Sequence, residues 1–349
     1  MISNTVKSLY LYFDNVYYST TFSYFCFQED TMGKIKFMQT LFCLLPFCLA
    51  ADNDVKELQT LKFEKDPEKR RILQDKMQSF VNRTPKSEFD RFDSDPSLKT
   101  ANPLLKLYDS ALDHVKQDIS ATTVEPGNAV LWYLYNMGFI IKTPTVCFGV
   151  DIHHRRAEEL AELLDFLVVT HNHADHYSIP LLHKLTGLDK PIVTNFFTSP
   201  FYTKAAEYTH NISGVTIHCG EADHNRVLKK FTMPAEIICP TGDKNFVFYT
   251  SGDCWNETFL NKKSEKIDLY AVHPYCGMKA LDAAKKLSPA MTFLVHLHEM
   301  GHEIDHWRWS FDDGRREENN FIQADMPSYI PAWGEKFLWD GEKISVSRK

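Results

Sequence analysis

The chain has 349 residues, 44% of them hydrophobic and 24% charged, which is ordinary for a globular protein with a large core. Its formal net charge is −7, and its lysines form only isolated pairs such as Lys262-Lys263 and Lys285-Lys286, so there is no cationic footprint for nucleic acid. Eight cysteines are present, and the five beyond residue 51 (Cys147, Cys219, Cys239, Cys254 and Cys276) are scattered and odd in number, which excludes a disulfide framework.

The amino end reads as a targeting segment. Met32-Gly33-Lys34-Ile35-Lys36 is basic, Phe37 to Leu49 is apolar, and Leu49-Ala50-Ala51 offers small residues at a cleavage point. The apolar stretch is too short to span a bilayer as a helix. Residues 1–50 are therefore expected to be an upstream extension and signal peptide, with translation starting at Met32 and the product exported to a periplasmic or extracellular space. N-terminal sequencing that found Met1 on the mature chain would sink this hypothesis. Three glycosylation sequons, at Asn82, Asn211 and Asn256, matter only in a eukaryotic secretory pathway.

Residues 51–126 are charged and helix-prone, with a break expected at Phe92-Asp93-Ser94-Asp95-Pro96. From Ala129 the pattern turns to short strands, namely Val130–Leu134, Gly138–Ile141 and Val146–Asp151. Ala157 to Leu164 reads as an amphipathic helix. Phe166–Thr170 reads as a buried strand. Strand and helix alternate afterwards through 191–194, 201–208 and 215–218, and Met278–Leu287 is expected to be a helix. This order predicts an α/β fold, with mixed sheets and outer helices, over 127–349. The tail from Trp307 carries Trp307, Trp309, Trp333 and Trp339, aromatics that either complete the core or wall a substrate site.

Directly after the Phe166–Thr170 strand stands His171-Asn172-His173-Ala174-Asp175-His176. Burying three imidazoles and a carboxylate without partners is costly, whereas the same groups suit zinc and related divalent ions. His171 and His173, two apart, can point the same way and grip one ion. Asp175 and His176 follow where the chain turns and can reach a second, and two ions ~3.5–4 Å apart can hold a bridging hydroxide. A competing motif, His298-Glu299-Met300-Gly301-His302, matches the HExxH signature of zinc proteases. That signature works only on a helix, and the preceding Met291–Leu297 reads as a strand.

The His-x-His-x-Asp-His run after a strand resembles the first motif of the metallo-β-lactamase superfamily. The resemblance extends over about residues 127 to 300, with Glu221-Ala222-Asp223-His224, the Phe246–Asp253 strand ending in Gly-Asp, and Thr292–His298 in the family's order. It implies an αβ/βα sandwich of two mixed sheets and a dinuclear site, with His171, His173 and His224 on the first metal, Asp175, His176 and His298 on the second, and Asp253 bridging. His218 is the alternative to His224, and His296 the alternative to His298. His173 rather than Glu, and Asp253 rather than Cys, point away from the oxygen-reducing and antibiotic-hydrolysing branches. The spacing from Asp253 to the last His strand looks most like the ascorbate-6-phosphate lactonase-like branch.

The implied function is an exported metal-dependent hydrolase carrying two divalent ions, zinc or alternatively manganese or iron. A metal-bound hydroxide would cleave an ester or lactone bond of a small molecule, and Asp175 would orient the nucleophile. The alternatives are a phosphodiesterase or phospholipase D-type hydrolase, and a non-catalytic metal-binding or sensing module. The leaving-group acid is unassigned, with Tyr177, His273 and Tyr275 in plausible positions. No nucleic-acid partner and no stable membrane span are expected, and oligomeric state is not readable.

Overall fold

The structure, a computed structural model, describes residues 41–196, 201 and 207–347; the expected leader lies largely outside the described residues. Every feature below, apart from residues 41–45 at the start of the first helix, belongs to the compact unit Pro46–Lys349. It opens with helices α1 (Leu41–Gln59), α2 (Pro67–Val81), α3 (Lys86–Asp90), α4 (Pro96–Ala101) and α5 (Pro103–Ala121). Pro96 starts α4 rather than ending a helix. Asp66-Pro67, Asp95-Pro96 and Asn102-Pro103 share one logic, in which an acceptor side chain caps the first amides and proline fills a position whose N–H is not needed. None of the described helices is long and apolar enough to cross a membrane.

Strands β1 (Ala129–Tyr135), β2 (Gly138–Lys142), β3 (Cys147–Val150), β4 (Phe166–Val168) and β5 (Ile192–Val193) follow. Next come β6 (Glu207–Ile212), β7 (Val215–Gly220), β8 (Ala235–Pro240), β9 (Asn245–Thr250), β10 (Leu269–Val272), β11 (Thr292–Leu294) and β12 (Ser328–Tyr329). The chain ends with β13 (Glu335–Trp339) and β14 (Ile344–Val346). They build two seven-stranded sheets, ordered β14-β13-β1-β2-β3-β4-β5 and β12-β11-β10-β9-β8-β7-β6. Both are mixed: β3-β4-β5 run parallel in one and β9-β10-β11-β12 in the other, with antiparallel pairs beside them. Helices α6 (Ile179–Gly187), α7 (Ala280–Leu287) and α8 (Phe311–Gln323) complete the unit.

Strand alternation explains the layers. Phe139 on β2 meets Phe248 on β9, Trp339 on β13 meets Phe246, and Phe337 meets Phe293 on β11, so these rings fill the space between the sheets. Trp132 and Lys336, paired across β1 and β13, project from the opposite face, where both reach Asp118 on α5. With both faces covered, every residue of β1 is buried. The expected αβ/βα arrangement of two mixed sheets is thus present.

One element departs from expectation. Ala157–Leu164 forms only a 3-10 turn, Ala157–Leu160. Asp165 is pulled into the sheet, its N–H donating to the Cys147 carbonyl and its carboxylate accepting from the Cys147 N–H at 2.7 Å, which leaves no length for a helix. The tail splits in role: Trp333 and Trp339 are buried core, whereas Trp307 is 68% exposed.

Candidate metal centre

The strands that run parallel deliver the site. β4 ends into Thr170-His171, β9 into Gly252-Asp253, β10 into His273 and β11 into Val295-His296, so side chains from both sheets converge at neighbouring strand ends. Gly252 has φ +50°, and a Cβ there would lie 2.8 Å from the Thr170 side chain. That close approach lets Asp253 meet the histidines on the other sheet.

Two separate groups of donor atoms form, each lying within 4.8 Å of one another: His171, His173, His224 and Asp253, and Asp175, His176 and His296; a third, Asp253, His273 and His296, shares a member with each. Asp253 Oδ2 is 3.7 Å from His171 Nε2 and 3.4 Å from His224 Nε2, while its Oδ1 is 3.4 Å from His176 Nε2. His296 Nε2 lies 3.0 Å from Asp175 Oδ2 and 3.8 Å from Asp253 Oδ2. His273 joins from the side, with Nδ1 3.1 Å from Asp253 Oδ1 and its ring stacked on His296 at 3.8 Å.

These residues fit divalent ions. Ligands bound tetrahedrally at ~2.0–2.1 Å stand about 3.3 Å apart, close to the spacings found. Nε2 of His176, His224, His273 and His296 are buried without an aligned hydrogen bond, a costly arrangement unless a cation takes the lone pairs. Burial pushes Asp253 and Asp175 up, yet the surrounding imidazoles, His176 foremost, hold both well below the usual carboxylate range. His176 stands well above its usual value, because Asp253, Asp175 and Asp151 overcome its desolvation. The donor set is entirely nitrogen and oxygen, suited to zinc, manganese or iron.

Of the residues singled out in the sequence, His171, His173, Asp175, His176, His224 and Asp253 come together, and His298 does not. The correction has a backbone cause. Strand β11 stops at Leu294, and His296 and His298 both adopt left-handed backbone, with φ of 61° and 60°. The two therefore do not share a strand face. The His296 N–H donates to the Asn136 carbonyl and its ring enters the site. The His298 N–H donates to the Trp309 carbonyl, and its ring packs edge-on against Phe311 at 4.2 Å, where burial and Arg308 push it down to about 3. The HExxH reading falls with it, since 298–302 is not helical and His302 faces Glu299. His218 lies on β7 with Nδ1 2.9 Å from the Thr209 hydroxyl, outside both donor groups. Cys254 donates to the Asn256 carbonyl, and burial pushes its thiol up to about 12.

Sequence reasoning missed Asp151. Fully buried after β3, it accepts from the Thr170 N–H at 2.7 Å, the Thr170 hydroxyl at 2.8 Å and His176 Nδ1 at 3.1 Å. A lone carboxylate closing an apolar strand was the available signal. A cleft of about 920 Å³ opens onto the centre, with His153, Tyr177, Tyr275, Glu299, His302 and Trp307 among its walls. Tyr177 donates to Asn172 and Tyr275 to the Asp313 carbonyl, so both hydroxyl protons have partners.

No family model and no curated protein matches the chain. Among solved structures it is similar to a metallo hydrolase from the hyperthermophilic archaeon Ignicoccus hospitalis, at 16% identity over 61% of this chain and 98% of that one, TM-score 0.47. It is similar to a possible metal-dependent hydrolase from Veillonella parvula, at 14% identity over 59% and 98%, TM-score 0.47. It is also similar to CmlA, a diiron β-hydroxylase from Streptomyces venezuelae, at 13% identity over 62% and 54%, TM-score 0.45.

Proposed function

We propose that this chain is a dinuclear metal-dependent hydrolase of metallo-β-lactamase type. His171, His173 and His224 would hold one ion and Asp175, His176 and His296 the other, with Asp253 available to both. The observation that carries this reading is the placement of Asp253 between the two groups, with Oδ2 3.4–3.7 Å from His171 and His224 and 3.8 Å from His296, and Oδ1 3.4 Å from His176. Bound divalent ions supply Lewis acidity and acidified water. The protein's part is positional. Asp151 fixes the His176 ring, and Asn136 Nδ2 donates to the Asp175 carbonyl at 2.8 Å, holding that carboxylate at the cleft floor. Asp175 Oδ2 is placed to orient the attacking water.

The cleft, about 920 Å³, suits a small molecule. An ester or lactone substrate is the leading class, with phosphodiesters as the rival. Elemental analysis of the purified protein, paired with a panel of lactone, carboxylester and phosphodiester substrates, tests the reading. The expected result is two metals per chain and turnover of one class, both lost in Asp253→Ala. Unchanged metal stoichiometry in that variant would refute the bridging role, and bound metal with no turnover would leave the non-catalytic module.

A further inference from the structure

Beside the metal centre lies a second polar cluster that the ligand sets do not use. Glu299 is buried, with only 1% of its side chain accessible. Its Oε1 accepts from the Tyr135 hydroxyl at 3.1 Å and the Gly301 N–H at 2.9 Å. Tyr135 is itself fully buried, and its oxygen accepts from the Met300 N–H. Glu299 Oε2 stands 2.9 Å from Nδ1 of His302, an ion-pair contact without hydrogen-bond alignment, and the His302 side chain is 29% accessible and lines the cleft.

The surrounding backbone is held as firmly. The Arg308 guanidinium donates to the carbonyls of Met300 at 2.9 Å and His302 at 2.5 Å, to Val81 at 3.3 Å at the end of α2, and to Thr84 at 2.6 Å just beyond it. One side chain thus ties the loop carrying His302 to the N-terminal helices. The His302 ring lies 6.3 Å from the His296 ring and 6.0 Å from Trp307, about one small group from the metal centre. Besides Glu299, the groups facing it are His153 from the segment after β3, whose Nε2 is 3.9 Å from Glu299 Oε1, and at longer range Asp175 and Asp253.

We propose that His302 is the proton donor to the leaving group, positioned by Glu299, Tyr135 and Arg308. This rests on the hydrolase reading above and assigns the acid it lacks. With Nδ1 set against Glu299, Nε2 is the ring atom left for the cleft. In the step, the water oxygen bonds to the acyl carbon and its proton passes to solvent. The bond from that carbon to the leaving oxygen breaks, the electron pair stays on the leaving oxygen, and the proton on His302 Nε2 neutralises it. Solvent then reprotonates His302. The cleft's other histidines outside the ligand sets are poorly placed for this. His153 Nδ1 is engaged by the Tyr177 carbonyl at 3.2 Å, and His273 is pinned between Asp253, at 3.1 Å, and the His296 ring stacked on it.

The test compares two leaving groups. Ethyl butyrate and 4-nitrophenyl butyrate are assayed with wild type, His302→Gln and Glu299→Gln, or diethyl phosphate and ethyl 4-nitrophenyl phosphate if phosphodiesters prove to be the substrate class. For His302→Gln, kcat/KM on the ethyl compound should fall about 10²–10³-fold, while the nitrophenyl compound, which needs no proton, should stay within about threefold. Metal content should be unchanged in both variants. The ¹⁵N shifts of His302 at neutral pH should show imidazolium in wild type and neutral imidazole in Glu299→Gln. Equal losses on both leaving groups, or none on either, would overturn the assignment while leaving the hydrolase reading intact. A metal-loaded wild type that hydrolyses none of the four compounds and none of the lactones would take down the hydrolase reading and this assignment with it.

Discussion

Asp151→Asn tests how the metal centre is oriented from behind. Oδ1 of Asp151 accepts from the backbone N–H of Thr170, a donor that cannot turn away. Oδ2 accepts from both the Thr170 hydroxyl and His176 Nδ1. An asparagine here keeps its oxygen on the Thr170 N–H and presents its NH₂ to His176. The hydroxyl can rotate to accept, but the imidazole must exchange tautomers. Nδ1 becomes the acceptor, and the proton moves to Nε2, the atom that faces Asp175 and Asp253 at 3.9 and 3.4 Å. A protonated Nε2 has no lone pair for a metal.

Loss of an orienting partner of this kind costs 10–100-fold in metal affinity, or about 1.4–2.7 kcal/mol. The expectation is therefore one tightly held ion and one weakened by that factor, measured by competition with a chromophoric chelator. Asp151→Ala should add a folding defect of about 1–3 kcal/mol for each buried donor left unpaired. Wild-type affinity for both ions in Asp151→Asn would refute the orienting role.

Two further predictions concern the N-terminal helices. Arg70 on α2 donates to both oxygens of buried Glu335 on β13, at 3.1 and 2.9 Å, and to the Leu61 and Ile330 carbonyls. Arg70→Met should lower unfolding free energy by about 3–5 kcal/mol, and the double variant Arg70→Met/Glu335→Leu should recover much of it in denaturant titrations, because the stranded charge is gone. Lys62 is 8% exposed, and burial pushes its amine down to about 8 from the ordinary 10.5. The unfolded chain then binds more protons between those values, so this group adds stability as pH rises from about 8 to 10.5 and withholds it below. Lys62→Met should therefore stabilise by up to about 3 kcal/mol at pH 7, and the gain should shrink as pH climbs through that window. A gain independent of pH would show that the amine does not titrate as described.

The parts of the site legible in the sequence are those whose geometry is local. Four donors in six residues after an apolar run need no knowledge of the rest of the chain, and Gly252-Asp253 closes its own strand. His296 and His298 show where local reasoning stops. Period-two alternation holds only while the strand continues, and β11 ends at Leu294, after which the Asn136 and Trp309 carbonyls capture the two backbone N–H groups. Neither carbonyl is near in sequence. The same holds for the groups that orient rather than bind: Asp151 meets His176 across 25 residues, and Tyr135 meets Glu299 across 164. The five letters of 298–302 spell a zinc helix, yet Arg308 and Tyr135 hold their backbone in a turn that aims His298 at Phe311 and His302 at the cleft. A histidine's role here follows from which distant group its backbone meets, so a motif match becomes chemistry only once the strand end beneath it is known.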